Sequence, residues 1–304
     1  MKIFSTQEGQ IYYRDEGQGE TILLLHGYPQ NHKAWRFQID EFSKNYRVIA
    51  PDWIGWGKSR GQYNLDTSYP IELERLVTFI KHLSCGPINI FAHDYGGFLA
   101  TGLAIKHPKL VKRLALLNTR AHSRFSSLFY WQTAIMSYLS RFPCTIPLMR
   151  AFPWYAYHNR KLQTHIVRGC FDQKLLDDYI AWMKTKAGSI HFQQFYAHYR
   201  VNVRPELVNN LSNIRCPTTI IWGAKDPYCP LRIAEELAQR IPQAQLEVIE
   251  NGDHFIMEEH PDRVSHFLST LLRRESALHR EQNQEQQGQE QTGAKFTIER
   301  IYLK

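Results

Sequence analysis

The chain has 304 residues, 43% of them hydrophobic, which is enough to bury a sizeable core in one large domain or two small ones. Five cysteines (Cys85, Cys144, Cys170, Cys216, Cys229) without a C-x-x-C pair argue against a disulfide framework or a zinc ribbon, and residues 1–20 are polar, so a soluble, cytoplasmic protein with no membrane span is expected. The net charge of +8 is local: between Arg120 and Arg204 twelve Lys or Arg stand against Asp172, Asp177 and Asp178, and no nucleic-acid-binding motif accompanies them, which leaves a solvated basic face or attraction for anionic substrates.

In chain order, short apolar runs at Ile22 to Leu25, Val48 to Ala50, Ile88 to Ala92, Leu114 to Leu117 and Thr219 to Trp222 read as buried strands, with a further one at Leu246 to Ile249. Ala34 to Phe42, Ile71 to Leu83 and Phe98 to Ile105 carry apolar residues at three- and four-residue spacing and read as crossover helices. The alternation predicts an α/β fold with a mostly parallel sheet flanked by helices. From residue 121 to 205 the strand rhythm stops and an aromatic-rich helical segment replaces it, so residues 1–120 and 206–274 are expected to form one core interrupted by a helical cap. Residues 275–304 are rich in Glu and Gln, too poor in apolar groups to offset the ordering entropy, and are expected to be a disordered tail; Phe296 to Leu303 alternate weakly, as a strand would.

Chemistry is concentrated at strand ends. The run Ile88 to Ala92, then His93-Asp94-Tyr95-Gly96-Gly97, then a helix, is a strand, a sharp turn and a helix whose small flanking residues let the backbone turn tightly and leave the apex side chain, Asp94, above the sheet. Alone, Asp94 is equally an ordinary helix N-cap. Its companions are Asp226, in Trp222-Gly223-Ala224-Lys225-Asp226 after the next strand beyond the cap, and His254, in Gly252-Asp253-His254-Phe255 after the last strand. The order is nucleophile, acid, base, all at the sheet edge where open parallel sheets collect ligands. His26-Gly27-Tyr28-Pro29 follows another strand, and the backbone N–H groups of Tyr28 and Tyr95 are candidates for an oxyanion hole. Gly57-Lys58-Ser59 ends like a phosphate loop, but Asp52 stands where the first glycine would and no helical pattern follows.

His26-Gly27-Tyr28-Pro29, Asp52-x-x-Gly55-x-Gly57-x-Ser59, His93-Asp94-Tyr95-Gly96-Gly97 and Gly252-x-His254-Phe255 together resemble the α/β-hydrolase superfamily over about residues 5 to 273. Within it, the His-Asp-x-Gly-Gly elbow is similar to the branch of epoxide hydrolases and haloalkane or haloacid dehalogenases, which use an Asp nucleophile. The resemblance implies a small-molecule substrate, apolar or amphipathic, and no metal or organic cofactor. It also implies a leaving-group site in the cap: His198-Tyr199-Arg200 resembles the segment that carries an acid tyrosine of epoxide hydrolases, making Tyr199 a possible cap acid, with Tyr130, Tyr155 or Tyr157 open as a second. Epoxide hydrolysis to a diol is the favoured expectation, haloalkane or haloacid dehalogenation the alternative, and a non-catalytic ligand-binding protein of the same fold a third.

A carboxylate suits displacement at sp³ carbon, because acyl exchange with it gives a reactive anhydride. With an ordinary pKa of about 3.9, Asp94 needs no base to ionise it. His254, oriented by Asp226, is then available to activate water against the resulting alkyl ester.

Overall fold

The computed structural model describes residues 1–120, 127–199 and 204–274. The expected disordered tail, with its weakly alternating end, lies outside the described residues, as do cap residues 121–126 and 200–203.

Nine strands form one sheet among the described residues: β1 (Lys2–Thr6), β2 (Gly9–Glu16), β3 (Thr21–Leu25), β4 (Arg47–Pro51), β5 (Arg60–Gly61), β6 (Ile88–His93), β7 (Val111–Leu117), β8 (Thr218–Gly223) and β9 (Gln245–Ile249). Their order is β1-β2-β4-β3-β6-β7-β8-β9, with β5 on β2; β1, β2 and β5 pair antiparallel and every pair from β4 to β9 is parallel. The central strands are buried along their whole length, as β3 and β6 show, because helices cover both faces of the parallel part.

The apolar runs therefore mark the parallel strands, and β1 and β2 escape that reading for a physical reason. Their antiparallel hairpin has one wet face, so Ile11 and Tyr13 are buried while Arg14, Asp15 and Glu16 keep partial exposure.

The core helices are α1 (Arg36–Phe42), α2 (Tyr69–His82) and α3 (Tyr95–Lys106). Ala34 and Trp35, expected to open the first helix, belong instead to a separate 3-10 turn, His32–Trp35, capped by Asn31, whose side chain accepts from Lys33 N–H. Between β7 and β8 the chain forms α4 (Ser127–Leu139), α5 (Ile146–Ala151), α6 (Trp154–Val167), α7 (Gln173–Ile180), α8 (Lys186–His198) and α9 (Pro205–Val208). Past β8 come α10 (Leu231–Arg240), α11 (Ile256–Glu259) and α12 (Pro261–Leu272).

The inserted helices meet the strand-end loops through Asn31 donating to the Asp178 carbonyl, Thr67 donating to the Gln194 carbonyl, and an Arg168–Asp253 ion pair. The chain runs from β3 to β4 on one side and then crosses to β6 on the other. The crevice between the ends of β3 and β6 is thus a topological switch point, which is where Tyr28 and Asp94 lie.

Candidate active site

Asp94 follows β6 with φ 45° and ψ −112°, a strained backbone held by its surroundings. Its N–H donates to the Leu117 carbonyl (3.1 Å), and Thr119 Oγ1 donates to its carbonyl (2.6 Å). A Cβ on Gly96 would stand 2.5 Å from the Leu25 carbonyl oxygen, so the glycine is what lets α3 start so close to β3.

The two carboxylate oxygens of Asp94 are inequivalent. Oδ2 accepts from Tyr28 N–H at 2.7 Å, and the Tyr95 backbone N–H also bonds to the carboxylate; Oδ1 lies 4.0 Å from His254 Nε2. Burial raises the Asp94 pKa above its ordinary value of 3.8, opposed by His254 and the two N–H groups, so this carboxylate is less acidic than the sequence alone suggests.

Asp226, beyond β8, uses all its acceptor capacity. Oδ1 accepts from Tyr228 N–H (2.7 Å) and Cys229 N–H (2.9 Å), and Oδ2 from Asn118 Nδ2 (2.6 Å) and His254 Nδ1 (2.7 Å). A carboxylate can only accept, so Nδ1 of His254 carries the proton and Nε2 is the nitrogen turned toward Asp94. Burial disfavours the imidazolium, yet Asp226, with Asp94 and Asp253 beyond it, outweighs that and raises the His254 pKa to about 9. His93 Nε2 donates to the His254 carbonyl (2.9 Å), tying the base loop to the elbow.

The roof comes from the helical insertion. A narrow cavity of about 50 Å³ opens over Asp94 and His254, walled by α4 (Gln132, Thr133, Met136), α6 (Tyr157, His158, Lys161, Leu162) and α8 (Tyr196). The hydroxyls of Tyr28 and Tyr196 interact, and Tyr28 also bonds to His158 Nε2. Around this cavity Tyr28 stacks on Phe195 and Trp56 on Tyr95, with Phe195 edge-on to both Trp56 and Tyr95, which accounts for much of the aromatic content as packing.

Asp94, Asp226, His254 and the N–H groups of Tyr28 and Tyr95 are thus brought together. Tyr199 stands apart from the cavity lining: its hydroxyl is 3.0 Å from Arg120 Nη1, and its ring packs on Phe195. Of the three tyrosines open as its partner, Tyr157 lines the cavity, Tyr155 donates to Asp177 (2.6 Å), and Tyr130 packs edge-on against Trp131.

Sequence reasoning missed Tyr196, one turn before Tyr199, along with Asn118, Thr119 and Lys161. Asn118-Thr119 directly follows β7, the same strand-end position that marks the triad, and that signal could have found them. Among the described residues, the one metal-compatible cluster is Asp226, Cys229 and His254; it shares two members with the triad, and burial holds the Cys229 thiol protonated. Asp52, in the rejected phosphate-loop run, instead accepts from His32 and from Lys58 N–H and so braces its own loop.

The sequence pattern of the family described as alpha/beta hydrolase fold matches residues 20–261. Epoxide hydrolase 3 of Xenopus tropicalis is 26% identical over 90% of this chain and 80% of its own length. A 2-hydroxymuconate semialdehyde hydrolase of Pseudomonas putida is 30% identical over 87% of this chain and 91% of its own. The crystal structure of Bacillus megaterium epoxide hydrolase superposes with a TM-score of 0.74 at 18% identity, covering 90% of this chain and all of that one, a likeness of fold.

Proposed function

Because the chain belongs to the alpha/beta hydrolase fold family, we propose that it hydrolyses its substrate through a covalent ester of Asp94, with an epoxide as the best-supported electrophile and a diol as product. The observation that carries this reading is the pinning of Asp94 Oδ2 by Tyr28 N–H at 2.7 Å while Oδ1 faces the cavity beside His254.

Oδ1 attacks an epoxide carbon, the carbon–oxygen bond opens, and the freed oxygen takes a proton from a cavity tyrosine. Oδ2 stays on the N–H groups as the carbonyl oxygen of the ester. His254 gives its extra proton to solvent once the negative charge of Asp94 is gone, regaining it at the end of the cycle; neutral, it takes a proton from water as that water attacks Cγ, and the N–H groups hold the oxyanion. Collapse expels the diol oxygen, which takes the proton from His254. The proton left on the Asp94 carboxyl restores the tyrosine, and the sum is epoxide plus water to diol.

An epoxide is favoured over a halide because Tyr28, Tyr157 and Tyr196 line the cavity and, among the described residues, no tryptophan does, so the donors over Asp94 are hydroxyls rather than indole N–H groups. Tyr157 and Tyr196 are therefore the first acids to test, ahead of Tyr199. Haloalkane or haloacid dehalogenation uses the same ester and is the second reading, distinguished by halide release. The muconate-semialdehyde relative points to acyl substrates, which a carboxylate nucleophile serves poorly because the product of exchange is an anhydride. A non-catalytic binding role would leave the His254 base without work.

His254→Gln should accumulate an adduct at Asp94 visible as an intact-mass increase equal to the epoxide. Multiple turnovers of wild type in ¹⁸O water should place label in the peptide containing Asp94. Turnover with neither adduct nor label would overturn the covalent route.

A further inference from the structure

The wall of the cavity contributed by α6 contains a cation. Tyr157, His158, Lys161 and Leu162 share one face of that helix by their spacing, and all four line the space above Asp94. The Lys161 ammonium stands 5.6 Å from the centroid of the Tyr228 ring, and that ring stands 5.0 Å from the ring of His254, so the cation and the candidate base share a wall. Its sequence neighbour Arg160 points outward and is exposed. Burial lowers the Lys161 pKa, meaning that its charge has lost much of its water.

Two further observations bear on what such a group faces. Among the described residues, Asp94 is the sole carboxylate that lines the cavity, and its charge repels any anion brought to it. Asp226, which accepts from His254 and Asn118, and Asp253, engaged by Arg168 and His165, do not line the space. The excess of Lys and Arg between residues 120 and 204 gives that segment a net positive charge, which favours the approach of anions over cations.

We propose that Lys161 binds a carboxylate on the substrate, so that the cavity takes a small carboxylate-bearing electrophile with its reactive carbon over Asp94 Oδ1. The inference rests on the covalent reading above for its chemistry, but not for its binding. Gln132 and Thr133, on the wall supplied by α4, add hydrogen-bonding groups to the same space. The ammonium offsets the repulsion between substrate and nucleophile, which a neutral electrophile would not need.

The test compares glycidate with glycidamide, and chloroacetate with chloroacetamide, on the full chain, with Lys161→Met and Lys161→Arg confirmed as folded by thermal melting. The ratio of kcat/KM for acid over amide should exceed unity in wild type, fall about tenfold or more in Lys161→Met, and largely return in Lys161→Arg. An unchanged ratio in Lys161→Met overturns the proposal, even where the His254→Gln adduct forms with the amide and the covalent route stands.

If no adduct or label is found with any substrate, the covalent route fails, and calorimetry with unreactive propanoate and propanamide still decides the binding claim. Propanoate binding that weakens about tenfold in Lys161→Met, with propanamide binding unaffected, supports it. Propanoate binding indifferent to Lys161, or undetectable in wild type, overturns it.

Discussion

Asp94 and His254 each set the other's proton affinity. With Asp94 ionised, His254 is held at about 9 and is protonated at neutral pH, a poor starting point for a base. On the covalent route proposed above, esterification would remove the Asp94 charge, so the imidazolium would lose one of the anions that support it and release its proton more easily. That route would thus switch the base on by its own first chemical step. Asp94→Asn mimics the loss of charge with little change in shape, and NMR titration of His254 in that variant should give a pKa below that of wild type. An equal or higher value would show that Asp226 alone sets it. In the same frame, kcat/KM for wild type should fall with acid through a pKa above the ordinary 3.8 of aspartate, since burial raises that of Asp94.

Within the elements, the elbow depends on what is missing from Gly96. Alanine there would put a methyl carbon 2.5 Å from the Leu25 carbonyl, a backbone atom that cannot swing aside. Gly96→Ala should cost about 1–3 kcal/mol, measured by urea denaturation, and should reduce adduct formation at Asp94 as β3 and α3 separate. Unchanged stability and labelling would mean that the elbow relaxes freely.

The elbow, the triad order and the parallel strands were legible in the sequence, because each is a local pattern: a continuous apolar run, then a loop residue of the right type at its end. The face of an inserted helix that meets the core is not local. Tyr196 and Tyr199 lie one turn apart on similar aromatic surroundings, and only the docking of α8 decides that Tyr196 lines the cavity while Tyr199 reaches Arg120. Lys161 was invisible for the same reason, as one of many basic residues in its segment. The hairpin of β1 and β2 hid behind its polar face.

At the scale of the whole molecule, stability should depend on pH through buried groups of opposite sign. Burial lowers His26 and His158 to about 4, His191 to about 3, and His93 well below the ordinary 6.5. Each adds stability that is present above 6.5 and lost as pH falls through its folded pKa. Burial raises Glu72 and Glu258 to about 7 from 4.5, even against their arginine partners, and that contribution is present below 4.5 and lost as pH rises through 7. His254, at about 9, adds stability that is present below 6.5 and lost on the way to 9. Between 4.5 and 6.5 four histidines outweigh two glutamates, and above 6.5 the remaining changes are losses. The Tm should therefore peak near pH 6.5 and decline toward 9 in differential scanning calorimetry; a Tm that climbs through that interval contradicts the assignment.

The cavity over Asp94 also sets a ceiling on affinity. At roughly 10–15 Å³ for each water-sized occupant, about 50 Å³ admits an occupant of about three to five non-hydrogen atoms. The best small ligands gain about 1.5 kcal/mol per such atom, so binding here saturates at about 5–7 kcal/mol, a dissociation constant no tighter than the order of 10 µM. A site this small cannot choose its substrate by contact area, which leaves charge and the reactivity of one carbon to do the discriminating.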